Sequence, residues 1–342
     1  MAKTDHALVV GINRYPELSN LQGPEADAIE FADWLKTDPR AQVPGSQVTR
    51  LLSSDYAAGV VARDAKPIVA DIDAALEAHI DRADQHGGDA GNRLYLYFAG
   101  HGMAPDADEV ALLMANAARR RIGHHIAGRS YTRWFREASL FREIVLFMDC
   151  CREPTLYMRA NPPPWDRRRG NGQTSYLVGF ATSWPSAARE MSPAPGAPVR
   201  GLFTRILIEG LKGAAPVNAA GDLTASILEG YVLNRFKEVF EQAEEPAAER
   251  QEPRIDSEPK NTFVVLSGGP LQVPVSVSIR RSDGGQAAEI RVFNHQGEEQ
   301  ASAFQAGTME LKLQPGWYKA TAGPNRQLFE VSAKGGPLAI TI

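Results

Sequence analysis

Two apolar segments, about fifty residues apart, constrain the fold of this chain more than any other feature. The first is Tyr95-Leu-Tyr-Phe-Ala-Gly-His-Gly102 and the second is Glu143-Ile-Val-Leu-Phe-Met-Asp-Cys-Cys-Arg152. Runs of this kind are typical of strands that are buried on both faces of a parallel sheet. Because parallel α/β sheets carry their functional residues at the carboxyl ends of strands, we expect the histidine and the cysteine that end these runs to lie close together.

The histidine and the cysteine can act together in nucleophilic catalysis. A thiol with a pKa of about 8.5 is mostly protonated at neutral pH, and a neighbouring imidazole can take its proton. His101 would then pass that proton to a leaving amine, while the backbone N–H groups of Gly102 and Cys151 could face the developing oxyanion. Strand alternation points the two adjacent cysteines to opposite faces, which favours Cys150 as an inert, buried thiol.

Composition and motifs argue against several other classes. The chain has 342 residues, 43% of them hydrophobic, and a formal charge of −4, which allows two globular domains and gives no strong attraction to nucleic acid. The first apolar segment is too short for a signal peptide and no stretch is long enough to span a membrane, so the expected location is cytoplasmic. The two cysteines are adjacent and lack the spacing of a structural zinc site. No metal and no other cofactor is therefore predicted.

Helix and strand signals alternate up to residue 266, as a parallel sheet covered on both faces requires. Besides the two apolar runs, the predicted strands are 7–12, 47–52, 109–114, 175–181 and 263–266. The predicted helices are 25–37, 65–84, 132–141, 201–211 and 223–240. Residues 241–260 are rich in Glu and Pro, and this composition predicts a solvated loop.

A different pattern begins after Ser267-Gly-Gly-Pro270. Apolar residues then alternate with other residues, as between Val273 and Ile279, without a helix signal. A period of two residues predicts an all-β unit. We therefore predict two domains, 1–267 and 268–342, the second being a small β-sandwich. Its segment Leu313-Gln-Pro-Gly-Trp-Tyr318 resembles a turn common in immunoglobulin-like or transthyretin-like accessory modules, which suggests a docking or regulatory role.

The motifs of the first domain resemble those of the caspase and metacaspase family of cysteine peptidases. In that family a His-Gly pair closes one core strand, and the nucleophilic cysteine closes the next about fifty residues later, as His101 and Cys151 do. Asp149 and Cys151 match the metacaspase pattern Asp-x-Cys. Residues 21–28, Leu-Gln-Gly-Pro-Glu-Ala-Asp-Ala, resemble the metacaspase start of the first helix, with Asp27 on the family's aspartate. The departures from the metacaspase pattern are Pro24 for cysteine, Ala26 for asparagine, and Arg152-Glu153 for His-Ser.

The resemblance implies both a fold and a specificity. The fold is a caspase-like three-layer α/β/α sandwich with a mostly parallel sheet. In metacaspases the aspartates at the positions of Asp27 and Asp149 line the pocket for the residue before the cut, so cleavage after arginine or lysine is expected. Arginine should be preferred, because one guanidinium can bond both carboxylates. Aspartate-specific caspases carry arginine where this chain has Leu21.

Several alternatives stay open at this point. Asp27 could simply be a favourable charge in the first turn of a helix. The chain as a whole could be an aspartate-specific caspase, or a catalytically silent caspase-fold scaffold that acts through protein interaction. Calcium dependence, a property of some metacaspases, is also left open.

The loop after the nucleophile is the expected control element. Pro162-Pro-Pro164 excludes regular helix and central strand there. Because this loop is often cut during activation in the family, we predict cleavage of a zymogen after Arg167, Arg168 or Arg169; the alternative is a solvated charge run. The resemblance further implies protein substrates, an upstream activating protease or a regulatory protein that contacts the C-terminal domain, and a role in a bacterial stress, cell-death or antiviral pathway.

Overall fold

The structure is a computed structural model of the chain. It describes residues 4–152, 159–166, 169–170, 172–183, 186–192, 198–218, 220–242, 246, 250–260, 262–268, 275–281, 289–294, 297, 299–303, 308–313, 316–331 and 338–342. Two compact units are present, namely Met1–Ile206 with Glu245–Phe263, and Leu207–Glu244 with Val264–Ile342. The domain boundary drawn from the sequence, between residues 267 and 268, stays a prediction.

Up to residue 266, helices lie between the long strands, and several short strands lie in the loops. The strands are β1 (His6–Gly11), β2 (Val48–Leu52), β3 (Gly91–Ala99), β4 (Gly102–Met103), β5 (Ala111–Leu113), β6 (His125–Ala127), β7 (Phe141–Asp149), β8 (Ser175–Phe180), β9 (Glu190–Met191), β10 (Arg200–Gly201), β11 (Leu223–Thr224), β12 (Arg254–Glu258) and β13 (Val264–Leu266). The helices are α1 (Pro24–Thr37), α2 (Val69–Gln85), α3 (Gly128–Ala138), α4 (Leu202–Glu209) and α5 (Ala225–Gln242), with 3-10 turns at Gly45–Gln47, Ser53–Asp55 and Ala62–Asp64 and a π turn at Gly210–Ala214.

A six-stranded sheet forms the centre of the first unit. Its strand order is β12-β8-β7-β3-β1-β2. Five of these strands are parallel, and the edge strand β12 pairs antiparallel with β8. The two apolar runs of the sequence are β3 and β7, which are neighbours in the middle of the sheet. The predicted mostly parallel α/β sheet is confirmed.

The central strands are apolar throughout because both faces of the sheet are covered. On one face, Leu96 of β3 belongs to a core that includes Leu76 of α2 and Phe135 of α3. The next residue, Tyr97, points to the other face and stacks on Phe31 of α1 with ring centroids 4.6 Å apart. Each large buried side chain of this kind contributes about 1.5–3 kcal/mol. Helices on both faces complete the three layers.

The edge of the sheet differs from the sequence-based expectation. Residues 241–260 are predicted to be a solvated loop, but Arg254–Glu258 form the antiparallel strand β12. Only Ile255 of these five residues is a large apolar side chain, so the strand lacks the usual period-two signal. Its charged residues pair with α3 instead, as in the 3.3 Å contact between Arg129 and Asp256. The predicted strand 263–266 is present as β13, and it pairs antiparallel with β11.

Helix α3 is displaced from its predicted position. The sequence predicts a helix over 132–141, whereas the helix occupies Gly128–Ala138. Ser139 ends it in a left-handed conformation, with φ of 53°. Phe141 therefore begins β7 rather than ending the helix.

The C-terminal residues form a small β-sandwich, as the period-two pattern predicts. Its strands are β14 (Val275–Arg280), β15 (Ile290–Asn294), β16 (Glu299–Ala303), β17 (Thr308–Leu313), β18 (Gly316–Ala322), β19 (Asn325–Val331) and β20 (Leu338–Thr341). They make a three-stranded sheet, β17-β14-β20, and a four-stranded sheet, β16-β15-β18-β19. Inward residues of both sheets, such as Val277 and Val292, share one core. All strand pairs are antiparallel except β14 with β20.

Candidate functional site

The loops after β3 and β7 begin at the same edge of the sheet. Ala99 and Asp149 are opposite each other in the parallel register. The N–H of Gly100 donates to the carbonyl oxygen of Asp149 at 3.3 Å, which joins the two loops at their start. His101 and Cys151 each lie two residues beyond this register pair. The common direction of the two parallel strands thus delivers both residues to the carboxyl end of the sheet.

Gly102 is the point of closest approach between the two loops. A side-chain Cβ built at Gly102 would collide with the Cβ of Cys150 and would lie 2.7 Å from the carbonyl oxygen of Cys151. Any residue other than glycine would therefore push the loops apart. The His-Gly pair of the sequence has a steric reason, which is close packing of one backbone against the other.

The His101 ring is held at its ε nitrogen by Ser19. Its Nε2 lies 2.7 Å from the carbonyl oxygen of Ser19 and 3.4 Å from the Ser19 hydroxyl. Because a carbonyl oxygen only accepts, Nε2 carries the hydrogen and Nδ1 is the basic nitrogen of the neutral ring. The ring also packs edge-on against Tyr15, with centroids 4.8 Å apart. The Tyr15 hydroxyl accepts the His101 N–H at 3.0 Å and donates to the Leu113 carbonyl at 3.1 Å.

The two cysteines have different environments. Cys150 is 1% exposed and belongs to the apolar core beneath the sheet. Burial, followed by the nearby charge of Asp149, raises the pKa of the Cys150 thiol, so it stays protonated. Cys151 is only partly buried, and its sulfur accepts the N–H of Ala188 at 3.3 Å. The Cys151 thiol in turn donates to the carbonyl oxygen of Ala188 at 3.8 Å.

The predicted acidic pair is brought together around a second glycine. A Cβ built at Gly201 would collide with Asp149 Oδ2 and would lie 2.8 Å from Asp27 Oδ2. Asp27 is 1% exposed and Asp149 is 8% exposed. Asp27 lies in the first turn of α1, and Asp149 is the last residue of β7. The carboxylates thus converge at the start of α4, and Asp149 stands two residues before the candidate nucleophile in the chain.

Asp27 is engaged by the two residues before α4, and Asp149 by a residue in the first turn of α4. Asp27 Oδ2 accepts the N–H of Gly201 at 2.8 Å, and its Oδ1 accepts the Nε–H of Arg200. Asp149 Oδ2 accepts both the N–H of Thr204, at 3.1 Å, and its hydroxyl, at 2.7 Å. These bonds compensate part of the cost of burying two negative charges.

Burial raises the pKa of both carboxyl groups. The pKa of Asp27 is raised to about 7, first by burial and then by the charge of Asp149, against the opposing charge of Arg200. The pKa of Asp149 is raised to about 6 by burial, against the hydrogen bonds from Thr204. A further cation that enters this site would lower both pKa values and favour the ionised carboxylates.

Several contributing residues escaped the sequence analysis. Ser19 acts through its backbone carbonyl and Ala188 through its backbone N–H, so neither side chain gives a signal. Arg200 is 173 positions from Asp27 in the chain, and no local pattern joins them. Glu190 accepts the N–H of Gly23 at 2.7 Å and thereby connects β9 to the start of α1. The sequence signal for this site was a glycine, Gly201, directly before an apolar helix, which is a place where other groups can approach the backbone closely.

The candidate cleavage loop is only partly described. Arg169 is exposed. Arg167 and Arg168 lie outside the described residues. Within the described residues, no group of three or more His, Cys, Asp or Glu side chains could hold a metal ion. The described helices include none that is long and apolar enough to cross a membrane.

Comparison with known proteins identifies a family model that the chain matches over most of its length. The family model "Caspase domain" matches residues 4–264. Among solved structures, caspase-1 from Spodoptera frugiperda is similar at 13% sequence identity, with a TM-score of 0.49, over 79% of this chain and 92% of that one. No curated protein matches the chain.

Proposed function

Because the chain belongs to the caspase family, we propose that it is a cysteine endopeptidase that cleaves protein substrates after arginine or lysine. Cys151 is the proposed nucleophile and His101 its base. The observation that carries the proposal is the contact of the two loops at one sheet edge. Gly102 fits against the Cys151 carbonyl there because it has no Cβ, and a Cβ built at this position would lie 2.7 Å from that oxygen. The anchoring of His101 Nε2 by Ser19, at 2.7 Å, supports the same assignment.

The proposed reaction begins with a proton transfer. His101 accepts the thiol proton of Cys151 at Nδ1, since Nε2 already donates to Ser19. The sulfur attacks the carbonyl carbon of the scissile bond, and the N–H groups of Gly102 and Cys151 stabilise the oxyanion. The C–N bond then breaks as His101 returns the proton to the leaving amine. Water hydrolyses the thioester with His101 as base and regenerates the thiol.

The acidic pair supports a basic side chain before the scissile bond. Asp27 and Asp149 converge at Gly201, and Glu190 adds a further negative charge that raises the pKa of Asp149. A lysine or arginine side chain would offset the buried charges of the two aspartates and the exposed charge of Glu190, whereas an aspartate side chain would add to them. This charge balance favours a basic substrate over the aspartate of most caspases.

The test is cleavage of matched fluorogenic peptides that end in arginine, lysine or aspartate. Cys151→Ala and His101→Ala should each reduce kcat/KM by on the order of 10³-fold or more. Cys150→Ala is the matched control, a thiol removed one position away, and it should keep most of the activity. Circular dichroism on all three variants checks that the fold is retained.

Two outcomes would replace the proposal. Cleavage after aspartate alone would make the protein an aspartate-specific caspase. No cleavage of any peptide, with no labelling of Cys151 by an arginyl chloromethyl ketone, would leave a caspase-fold interaction scaffold. Labelling of Cys150 instead would reverse the assignment of the two thiols.

We propose that cleavage after Arg167, Arg168 or Arg169 activates a zymogen, carried out by the enzyme itself or an upstream protease. The C-terminal β-sandwich would bind a regulatory protein, and the enzyme would act in the cytoplasm in a bacterial stress, cell-death or antiviral pathway. Calcium dependence is tested by adding a chelator to the assay. Intact-mass analysis of active and Cys151→Ala protein tests the cut; activation with residues 166–170 uncut would refute it.

A further inference from the structure

Arg200 supplies a resident positive charge at the acidic pair. It belongs to the short strand β10, directly before α4. Its Nε–H donates to Asp27 Oδ1, and its terminal nitrogen lies 2.6 Å from Glu30 Oε2. The Arg200 side chain is 20% exposed, whereas that of Asp27 is 2% exposed. Arg200 therefore covers Asp27 on its outer side.

The two aspartates differ in what they can still offer to a substrate. Both oxygens of Asp27 are occupied, Oδ1 by Arg200 and Oδ2 by the N–H of Gly201. Both hydrogen bonds from Thr204 go to Asp149 Oδ2. Among the described residues, no hydrogen bond reaches Asp149 Oδ1. Each Asp27 oxygen holds one hydrogen bond, and the Asp27 side chain is only 2% exposed beside Arg200. Asp149 Oδ1 is therefore the carboxylate oxygen that we expect to bind an incoming cation.

We infer that Arg200 is a specificity-determining residue, which removes Asp27 from the substrate pocket and leaves Asp149 as the carboxylate that binds the substrate cation. This inference rests on the proposed function. Its consequence is a change in the expected selectivity. A guanidinium outperforms an ammonium where it can bond two carboxylates or bond one in a bidentate manner. At a single oxygen the two cations are nearly equivalent, so the enzyme should accept lysine about as well as arginine.

Two other roles for Arg200 make different predictions. If Arg200 only ties β10 to α1, its loss lowers stability and reduces cleavage after arginine and lysine equally. If Arg200 merely blocks the pocket, its loss raises both equally. Only a specificity-determining role changes the ratio of the two, so the ratio of kcat/KM values is the readout that separates the three.

The experiment compares matched peptides with arginine or lysine before the cut at pH 8.5. In the wild type the ratio of kcat/KM values should be within about threefold. Arg200→Ala should raise it about tenfold in favour of arginine, the size expected for one added charge-assisted hydrogen bond. Adding Asp27→Asn to Arg200→Ala should return the ratio to the wild-type value. Arg200→Lys should behave as wild type, and Arg50→Ala, at an exposed position on β2, is the control.

Failure of this inference and failure of the proposed function have different signatures. In the catalytically inactive Cys151→Ala protein, binding of benzamidine and of n-butylamine is measured by calorimetry. Arg200→Ala in this background should favour benzamidine over n-butylamine by about tenfold more than before. If no peptide is cleaved but this shift is seen, the pocket assignment holds and the peptidase proposal fails. An unchanged ratio in both assays overturns the role of Arg200. Arg200→Gln, which keeps a polar side chain without the charge, replaces Arg200→Ala if that variant does not fold.

Discussion

Replacing Asp149 with asparagine should make the protein more stable at neutral and alkaline pH. Burial raises the pKa of Asp149 from the usual 3.8 to about 6. At 1.36 kcal/mol for each pH unit, this difference corresponds to about 3 kcal/mol. An amide of nearly the same shape can still accept the two hydrogen bonds from Thr204 at its oxygen.

The sign of the effect follows from the direction of the pKa change. Because the folded-state pKa lies above the unfolded one, the contribution of Asp149 to stability is complete below about pH 4 and is lost as the pH rises through 6. As the pH rises from 4 through 6, the free energy of unfolding of the wild type should therefore fall by about 3 kcal/mol relative to that of Asp149→Asn. The substitution also removes the repulsion that raises the pKa of Asp27, which changes stability in the same direction.

The assay is urea unfolding of wild type and Asp149→Asn at pH values from 4 to 8.5. Tryptophan fluorescence reports on the unit that holds the site, because the described tryptophans at positions 34, 134 and 165 lie in it. The amide can also change the free energy of unfolding by a constant amount at every pH. This constant cancels when the slopes of the free energy of unfolding against pH are compared. Asp33→Asn, at an exposed position of α1, controls for the change of charge. Parallel stability curves for wild type and Asp149→Asn would refute the argument.

The same variant should lose activity on basic substrates. The proposed pocket relies on the Asp149 charge to bind the substrate cation, so stability and activity should change in opposite directions. Such opposition is common where a strained or charged site serves function. Gains in both properties would mean that Asp149 has no role in substrate binding.

Three further variants test the contacts around His101. Gly102→Ala should abolish most peptidase activity and cost about 1–3 kcal/mol in urea unfolding, because the added methyl group overpacks the loops; Gly123→Ala, where a Cβ would meet no atom within 4 Å, should change neither. Ser19→Ala should keep kcat/KM within about threefold, because the backbone carbonyl, and not the hydroxyl at 3.4 Å, holds Nε2 of His101; a tenfold loss would make the hydroxyl the partner. Tyr15→Phe leaves the His101 N–H without its acceptor, so it should cost about 1–3 kcal/mol of stability and lower kcat more than it changes KM. An equal loss of stability in a variant with intact kcat would contradict the positioning role of that hydroxyl.

The sequence determined the framework of this protein because strand burial is a local property. The apolar run through Tyr97 and the one through Phe147 predict neighbouring central strands, and the period of two around Val277 predicts the β-sandwich. Strand β12 was missed because only Ile255 among its residues is large and apolar, and its place in the sheet depends on pairing with β8. An edge strand of this composition is stabilised by its neighbour rather than by its own pattern.

The sequence also placed His101, Gly102 and Cys151 at strand ends, where the direction of each chain leads to one sheet edge. Only the tertiary structure decided what surrounds them. Ser19 reaches His101 from 82 positions away, and Arg200 reaches Asp27 from 173 positions away. Such contacts depend on how loops and helices pack in space, which hydrophobic period does not encode. The negative charge of Asp27 and Asp149 could therefore be predicted from the sequence, but the hydrogen bond of Arg200 to Asp27 could not.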